Sequence, residues 1–129
     1  MKKHKYAMAL SYEKERKRVF SMLNFLNSFD IVVVEGKKDK IALEKLGVEK
    51  VKTSYEYFHS NQKFKKVAII FDNDKGGKKL KEKAFSFSYE MNNSAYDVSN
   101  FFLSIFSCRK VEESYKRFLK MVSEWEKHT

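Results

Sequence analysis

At 129 residues, with 43% apolar and 16% aromatic side chains, the chain can fill one core and no more than one domain. Its single cysteine, Cys108, excludes an internal disulfide framework and a multi-cysteine zinc site. The formal net charge of +10, from 27 basic against 17 acidic residues, suits a polyanionic partner such as nucleic acid, and it equally suits a lysine-rich surface from a compositionally biased genome.

No apolar run approaches membrane-spanning length, and the basic start MKKHKYAMAL has no signal-peptide stretch behind it. The expectation is a cytoplasmic protein with no membrane partner. Taken in order, the periodicity predicts an N-terminal helix over 6–29, with Val19, Met22, Leu23 and Leu26 on one stripe. The run IVVV over 31–34 then suits a strand buried on both faces, stopped by Glu35 and Gly36. A helix over 41–46 follows, with Ile41, Ala42 and Leu46 able to face a sheet and Gly47 placed to end it in a left-handed conformation. Asp39 stands near its start, where a carboxylate suits the helix dipole. A short third strand falls within 48–55, and 57–64 fits neither period.

Val67 to Phe71 (VAIIF) is the second fully apolar run, leading into Asp72, Asn73, Asp74 and the pair Gly76–Gly77. Helix-forming residues fill 78–85. The alternation of Phe85, Phe87, Tyr89 and Met91 then predicts a half-buried strand, closed by a turn at 92–94. Helices are expected over 98–106 and 111–126, the last carrying Val111, Tyr115, Phe118, Leu119, Val122 and Trp125 on one stripe. There is no proline, linker or repeat to mark a boundary. The chain therefore reads as a single compact α/β domain over 1–129 with about four mostly parallel strands flanked by helices. Its core lies at about 30–105, with an N-terminal helix at 6–29 and a C-terminal helix at 111–126.

If the two apolar strands are parallel, Glu35 and the pair Asp72 and Asp74 share one sheet edge, where open α/β sheets form their sites. Converging carboxylates are costly unless a cation or a proton joins them. Mg²⁺ suits such a set, because it takes one or two carboxylates plus waters and phosphate oxygens. Lys37 and Lys38 on one side, and Lys75, Lys78 and Lys79 on the other, are placed to flank a phosphate, although each alone fits a solvated surface. Gly36, Gly76 and Gly77 allow tight turns or close approach. Asp74 is also a fitting cap for the following helix, and Asp97 fits both an N-cap and a further metal-side carboxylate. An EF-hand loop from Asp72 fails because Lys83 stands where its last glutamate belongs. His4, His59 and His128 are too scattered to suggest a site.

VVVEGKKDKIALEKLG followed by VAIIFDNDKGGKKL resembles the TOPRIM domain of bacterial primases, topoisomerases, OLD-type nucleases and small ribosomal-RNA maturases. Glu35-Gly36 with Asp39, and Asp72-Asn73-Asp74 with the glycines, correspond to the two halves of that family's signature over roughly 31–85. The resemblance implies a Rossmann-like TOPRIM fold and Mg²⁺-dependent phosphoryl transfer on DNA or RNA, with Mn²⁺ able to substitute. The activity would be nuclease-like or primase-like. Glu35 would be the general acid or base, and Asp72 and Asp74, with Glu35 and in one reading Asp97, would hold the metal. Tyr96 to Asn100 matches a further primase-type element only at Asp97. Zinc and cleavage modules of the larger relatives have no counterpart here, which implies a partner protein supplying them. The alternative is a non-catalytic module binding nucleic acid or protein.

Overall fold

A computed structural model describes residues 2–128, with side chains described from Met8 onward; His4 lies outside those side chains. The elements run α1 (Lys2–Asn27), β1 (Ile31–Val34), α2 (Lys37–Leu46), β2 (Val51–Thr53), α3 (Ser54–Phe58), β3 (Lys66–Ile70), α4 (Lys75–Glu90), β4 (Ser94–Asp97), α5 (Ser99–Phe106), a 3₁₀ turn at Val111–Glu113, and α6 (Ser114–Lys127). The four strands form one all-parallel sheet in the order β2-β1-β3-β4, with Val34 opposite both Thr53 and Ile70, and Ile69 opposite Asp97. This is the expected α/β architecture.

Both central strands are buried along their apolar lengths because helices cover both faces. Val32, Val34, Ala68 and Ile70 pack against α1, α2, α5 and α6, joined by Val19, Met22, Leu23 and Leu26 as the helical stripe predicts. Ile31, Val33, Val67, Ile69 and Phe71 point the other way, onto Tyr57 of α3 and Ala84 of α4. The outward connection from β1 to β2 runs over the first face. The connections that travel in the opposite direction run over the second, as a single hand of crossover requires. Among the described residues no helix is long and apolar enough to cross a membrane.

Three expectations are corrected. Residues 85–90 are helix, not strand, with Met91 as its C-cap: nothing from Lys78 to Glu90 stops α4, and the first left-handed backbone after it is Asn92, at φ 61°. Phe85 and Phe87 lean on the second face while Tyr89 stands in solvent. The fourth strand is instead SAYD at 94–97, an edge strand too polar to announce itself and held by pairing with β3. On α2, Leu43 rather than Ile41 faces the sheet, and Ile41 is 51% exposed. On α6, Leu119 lies off the buried stripe, and Val111 belongs to the 3₁₀ turn ahead of the helix. Gly47 does end α2 in the left-handed region, at φ 99°.

Candidate functional site

The strand order reverses between β1 and β3, because the chain leaves β1 for one side of the sheet and later returns to the other. Crevices form outside the carboxyl ends of strands at such a point. Glu35 is the first residue past β1, and Asp72 lies two residues past β3. The fold therefore brings together residues 37 positions apart: Glu35 Oε1 accepts a hydrogen bond from the Asp72 backbone N–H at 2.7 Å.

Each neighbouring acid is likewise held by a backbone donor. Asp72 Oδ1 accepts from Val111 N at 2.9 Å, and Asp74 Oδ1 accepts from Gly77 N at 2.7 Å as the N-cap of α4. Asp39 Oδ2 accepts from Gly36 N at 3.1 Å, closing a capping box at the start of α2. These bonds use one oxygen of each carboxylate.

The cleft they line encloses about 490 Å³ and adds Glu112 to Glu35, Asp39, Asp72 and Asp74, with Lys37, Lys38 and Lys110 as its cations. Burial raises the pKa of Glu35, and Asp72, Asp74 and Asp39 raise it further, against the lowering effect of the Asp72 N–H. Asp72 is raised in the same way by burial and by Asp74 and Glu112, with the Val111 N–H and Lys110 opposing. Asp39 follows, raised by burial and by the charges of Asp72 and Glu112. Among the described residues no three Asp, Glu, His or Cys side chains form a ready-made metal cage, and Glu35, Asp39, Asp72 and Asp74 are each turned onto a backbone donor.

The other predicted residues divide. Lys37 and Lys38 line the cleft, whereas Lys75, Lys78 and Lys79 are exposed on α4 outside its lining. Asp97 stands apart: its carboxylate pairs with Lys81 at 2.9 Å and accepts from Ser99 N at 3.0 Å, just ahead of α5. Burial works against that charge, but Ser99 and Lys81 together outweigh it and lower the pKa. The glycines are not turn formers. Gly36 has ordinary extended backbone at φ −143°, and an added Cβ there would meet nothing within 4 Å. Gly76 and Gly77 lie in the first turn of α4, and only Gly77 is forced, since a Cβ would strike the Asp72 carbonyl oxygen.

Lys110, Val111 and Glu112 are the residues the sequence reasoning missed. They lie outside both acidic motifs and reach the cleft only because the 3₁₀ turn packs beside α2. No local signal in RKVEE marks them.

No protein-family model and no curated protein matches the chain. It is similar to the solved structure of a protein from Aquifex aeolicus, with a TM-score of 0.61 and 22% sequence identity over 76% of this chain and 95% of that one. At that identity the likeness speaks for the fold alone.

Proposed function

We propose that this chain is a TOPRIM-like domain that performs Mg²⁺-dependent phosphoryl transfer on nucleic-acid phosphodiesters, as a nuclease before a primase. The observation that carries the reading is the bond from the Asp72 N–H to Glu35 at the switch point of the sheet, which draws the two signature halves into one cleft.

The donor set suits Mg²⁺: hard carboxylate oxygens in one cleft, with one oxygen of each of Glu35, Asp72 and Asp74 outside the backbone bonds, and with Glu35 and Asp72 raised in pKa by burial and then by neighbouring carboxylates. Asp72 and Asp74 would hold the ion, with Glu35 beside them. When bound, Mg²⁺ supplies charge neutralisation at the phosphate. Glu35 is the proton carrier. It stands at the carboxyl end of β1 with one carboxylate oxygen outside the Asp72 N–H bond, where a general acid or base can reach the reacting phosphate. Lys37, Lys38 and Lys110 offer positive charge for the flanking phosphates. The open space beside Gly36, which the backbone does not require, leaves room for a substrate to approach.

A second reading, a binding module without turnover, is favoured by Asp74 acting as a helix cap and by Asp97 being held away on Lys81. Turnover on labelled single- and double-stranded DNA and RNA, with Mg²⁺ or Mn²⁺ and with or without nucleotides, separates the two. The catalytic reading requires product that disappears in both Glu35→Gln and Asp72→Asn, and nucleotide dependence would mark a primase. No product, or product that survives both changes, leaves the binding module.

A further inference from the structure

A second groove adjoins the acidic cleft and shares Glu35, Gly36 and Lys37 with it. It encloses about 710 Å³, within the range of small-ligand sites. Two large side chains on its walls stand mostly in solvent: Tyr55, 70% exposed, in the first turn of α3, and Ile41, 51% exposed, on α2. The Tyr55 ring stacks on His59 one helical turn later, with centroids 4.1 Å apart and planes at 27°. The His59 ring is itself tethered, its Nδ1 lying 2.8 Å from the Tyr55 carbonyl oxygen.

The fold makes no use of these two rings. The aromatic side chains that α3 gives to the interior are Tyr57, which is fully buried, and Phe58. A stacked, tethered pair of rings left in solvent has lost rotational freedom without gaining burial, and it is thereby preorganised for a flat ligand. The charges of the groove point the same way. Lys40 is bound to Glu56 at 3.0 Å, whereas Lys37, at the junction with the acidic cleft, has no ion pair among the described residues. Glu44 also lacks a cationic partner among those residues, so the body of the groove favours an uncharged base over a second phosphate.

We propose that this groove seats an unpaired nucleotide next to the phosphodiester handled in the acidic cleft. Its base stacks on Tyr55 and its phosphate lies toward Lys37. The ligand class is single-stranded nucleic acid or a single-stranded overhang, because bases within a duplex have both faces covered by their neighbours. This rests on the reading of the acidic cleft as a nucleic-acid site, and it adds what that reading lacks: the strandedness of the substrate and the residue that selects it.

The test is binding to oligonucleotides carrying 2-aminopurine, as single-stranded DNA, as single-stranded RNA and as the matching duplexes, comparing wild type with Tyr55→Ala and Tyr55→Trp. Tyr55→Ala is expected to weaken binding to single strands by roughly tenfold, to abolish the stacking-dependent fluorescence quenching, and to leave duplex binding unchanged. Tyr55→Trp is expected to keep both affinity and quenching. His59→Ala, which removes only the supporting ring, should give a smaller loss. The proposal is overturned if Tyr55→Ala binds and quenches as wild type does, if it loses single strands and duplexes equally, or if wild type binds no strand at all. The two readings fail separately. Tyr55-dependent binding with turnover indifferent to Glu35→Gln and Asp72→Asn sinks the catalytic reading and leaves the stacking site. Acid-dependent turnover with Tyr55→Ala unchanged does the reverse.

Discussion

Replacing Gly77 by alanine would put a methyl group where the backbone of Asp72 already stands. The new Cβ would fall far inside contact distance of the Asp72 carbonyl oxygen and 2.9 Å from Glu35 Oε1. A side-chain tip could swing away, but a carbonyl cannot, so either α4 or the loop after β3 must shift. Overpacking of this kind costs roughly 1–3 kcal/mol, and contact with fixed backbone places it toward the top of that range. Against it stands the helix-propensity gain of glycine to alanine, about 1 kcal/mol at most. The net loss is then about 1–2 kcal/mol. Gly76 is the internal control, because its Cβ would meet only Asp74 Oδ1, at an ordinary 3.6 Å. Gly76→Ala keeps the entropic gain of roughly 0.4–1 kcal/mol without the clash. Two adjacent, identical substitutions should therefore act with opposite sign. Urea unfolding followed by circular dichroism would show the midpoint lowered for Gly77→Ala and raised for Gly76→Ala, with the slope unchanged in both. A Gly77→Ala protein as stable as wild type would refute the close seating of α4 against Asp72 and Glu35, and with it the geometry of the cleft.

Ser99 is fully buried, and its hydroxyl accepts from Phe71 N at 2.9 Å and reaches the Ile69 carbonyl at 3.3 Å; Ser99→Ala should cost roughly 1–3 kcal/mol in the same unfolding assay, because the Phe71 N–H is left unpartnered. Asp97 has a lowered pKa, so its stabilising effect is present above the ordinary value of 3.8 and fades as pH falls through the lower folded-state value. Asp97→Asn should accordingly be about 0.5–1 kcal/mol less stable than wild type at neutral pH, and a gap that persists in strong acid would contradict the Lys81 pairing. Mg²⁺ should raise the melting temperature of wild type, by the equivalent of about 1.4 kcal/mol at ten times the dissociation constant, and Asp72→Asn should lose most of that shift. Wild type that ignores Mg²⁺ in a thermal-shift titration would count against the acids as a cation site.

What the sequence made legible follows from the range of its signals. IVVV and VAIIF announce buried parallel strands by composition alone, and both runs lie within a residue of the observed strand bounds. Glu35 and Asp72 were legible as neighbours because a parallel pair of strands fixes where both carboxyl ends lie. The fourth strand was not, since SAYD forms through its pairing with β3 rather than through any pattern of its own, while Phe85 to Met91 imitates a strand inside a helix with no stop signal. Lys110 and Glu112 were invisible for a related reason. Asp72 reaches Val111 across 39 residues, and only the packed chain creates that contact. The same holds for Ile41, which helical periodicity directed toward the sheet. The real register of α2 turned it out beside Tyr55, where it lines the second groove.

Glu35→Gln separates what the fold needs from what the proposed chemistry needs. The structural task of this side chain is to accept the Asp72 N–H at 2.7 Å, and the carbonyl oxygen of glutamine can do that equally well. The charge, by contrast, works against the fold: burial and the nearby carboxylates of Asp72, Asp74 and Asp39 raise the Glu35 pKa. A carboxylate whose folded-state pKa lies above its unfolded value stabilises the protonated folded state. Its ionisation therefore subtracts stability as pH rises through that window, the opposite sign to Asp97. Removing the charge should leave Glu35→Gln at least as stable as wild type at neutral pH, and its stability should be flatter with pH from the ordinary value of 4.5 upward. The phosphoryl-transfer activity proposed for the cleft should be lost in the same variant. Urea midpoints across that pH range, read beside turnover, decide the matter. A Glu35→Gln protein that is markedly less stable would make the charge a structural element, and its loss of activity would then say nothing about proton transfer.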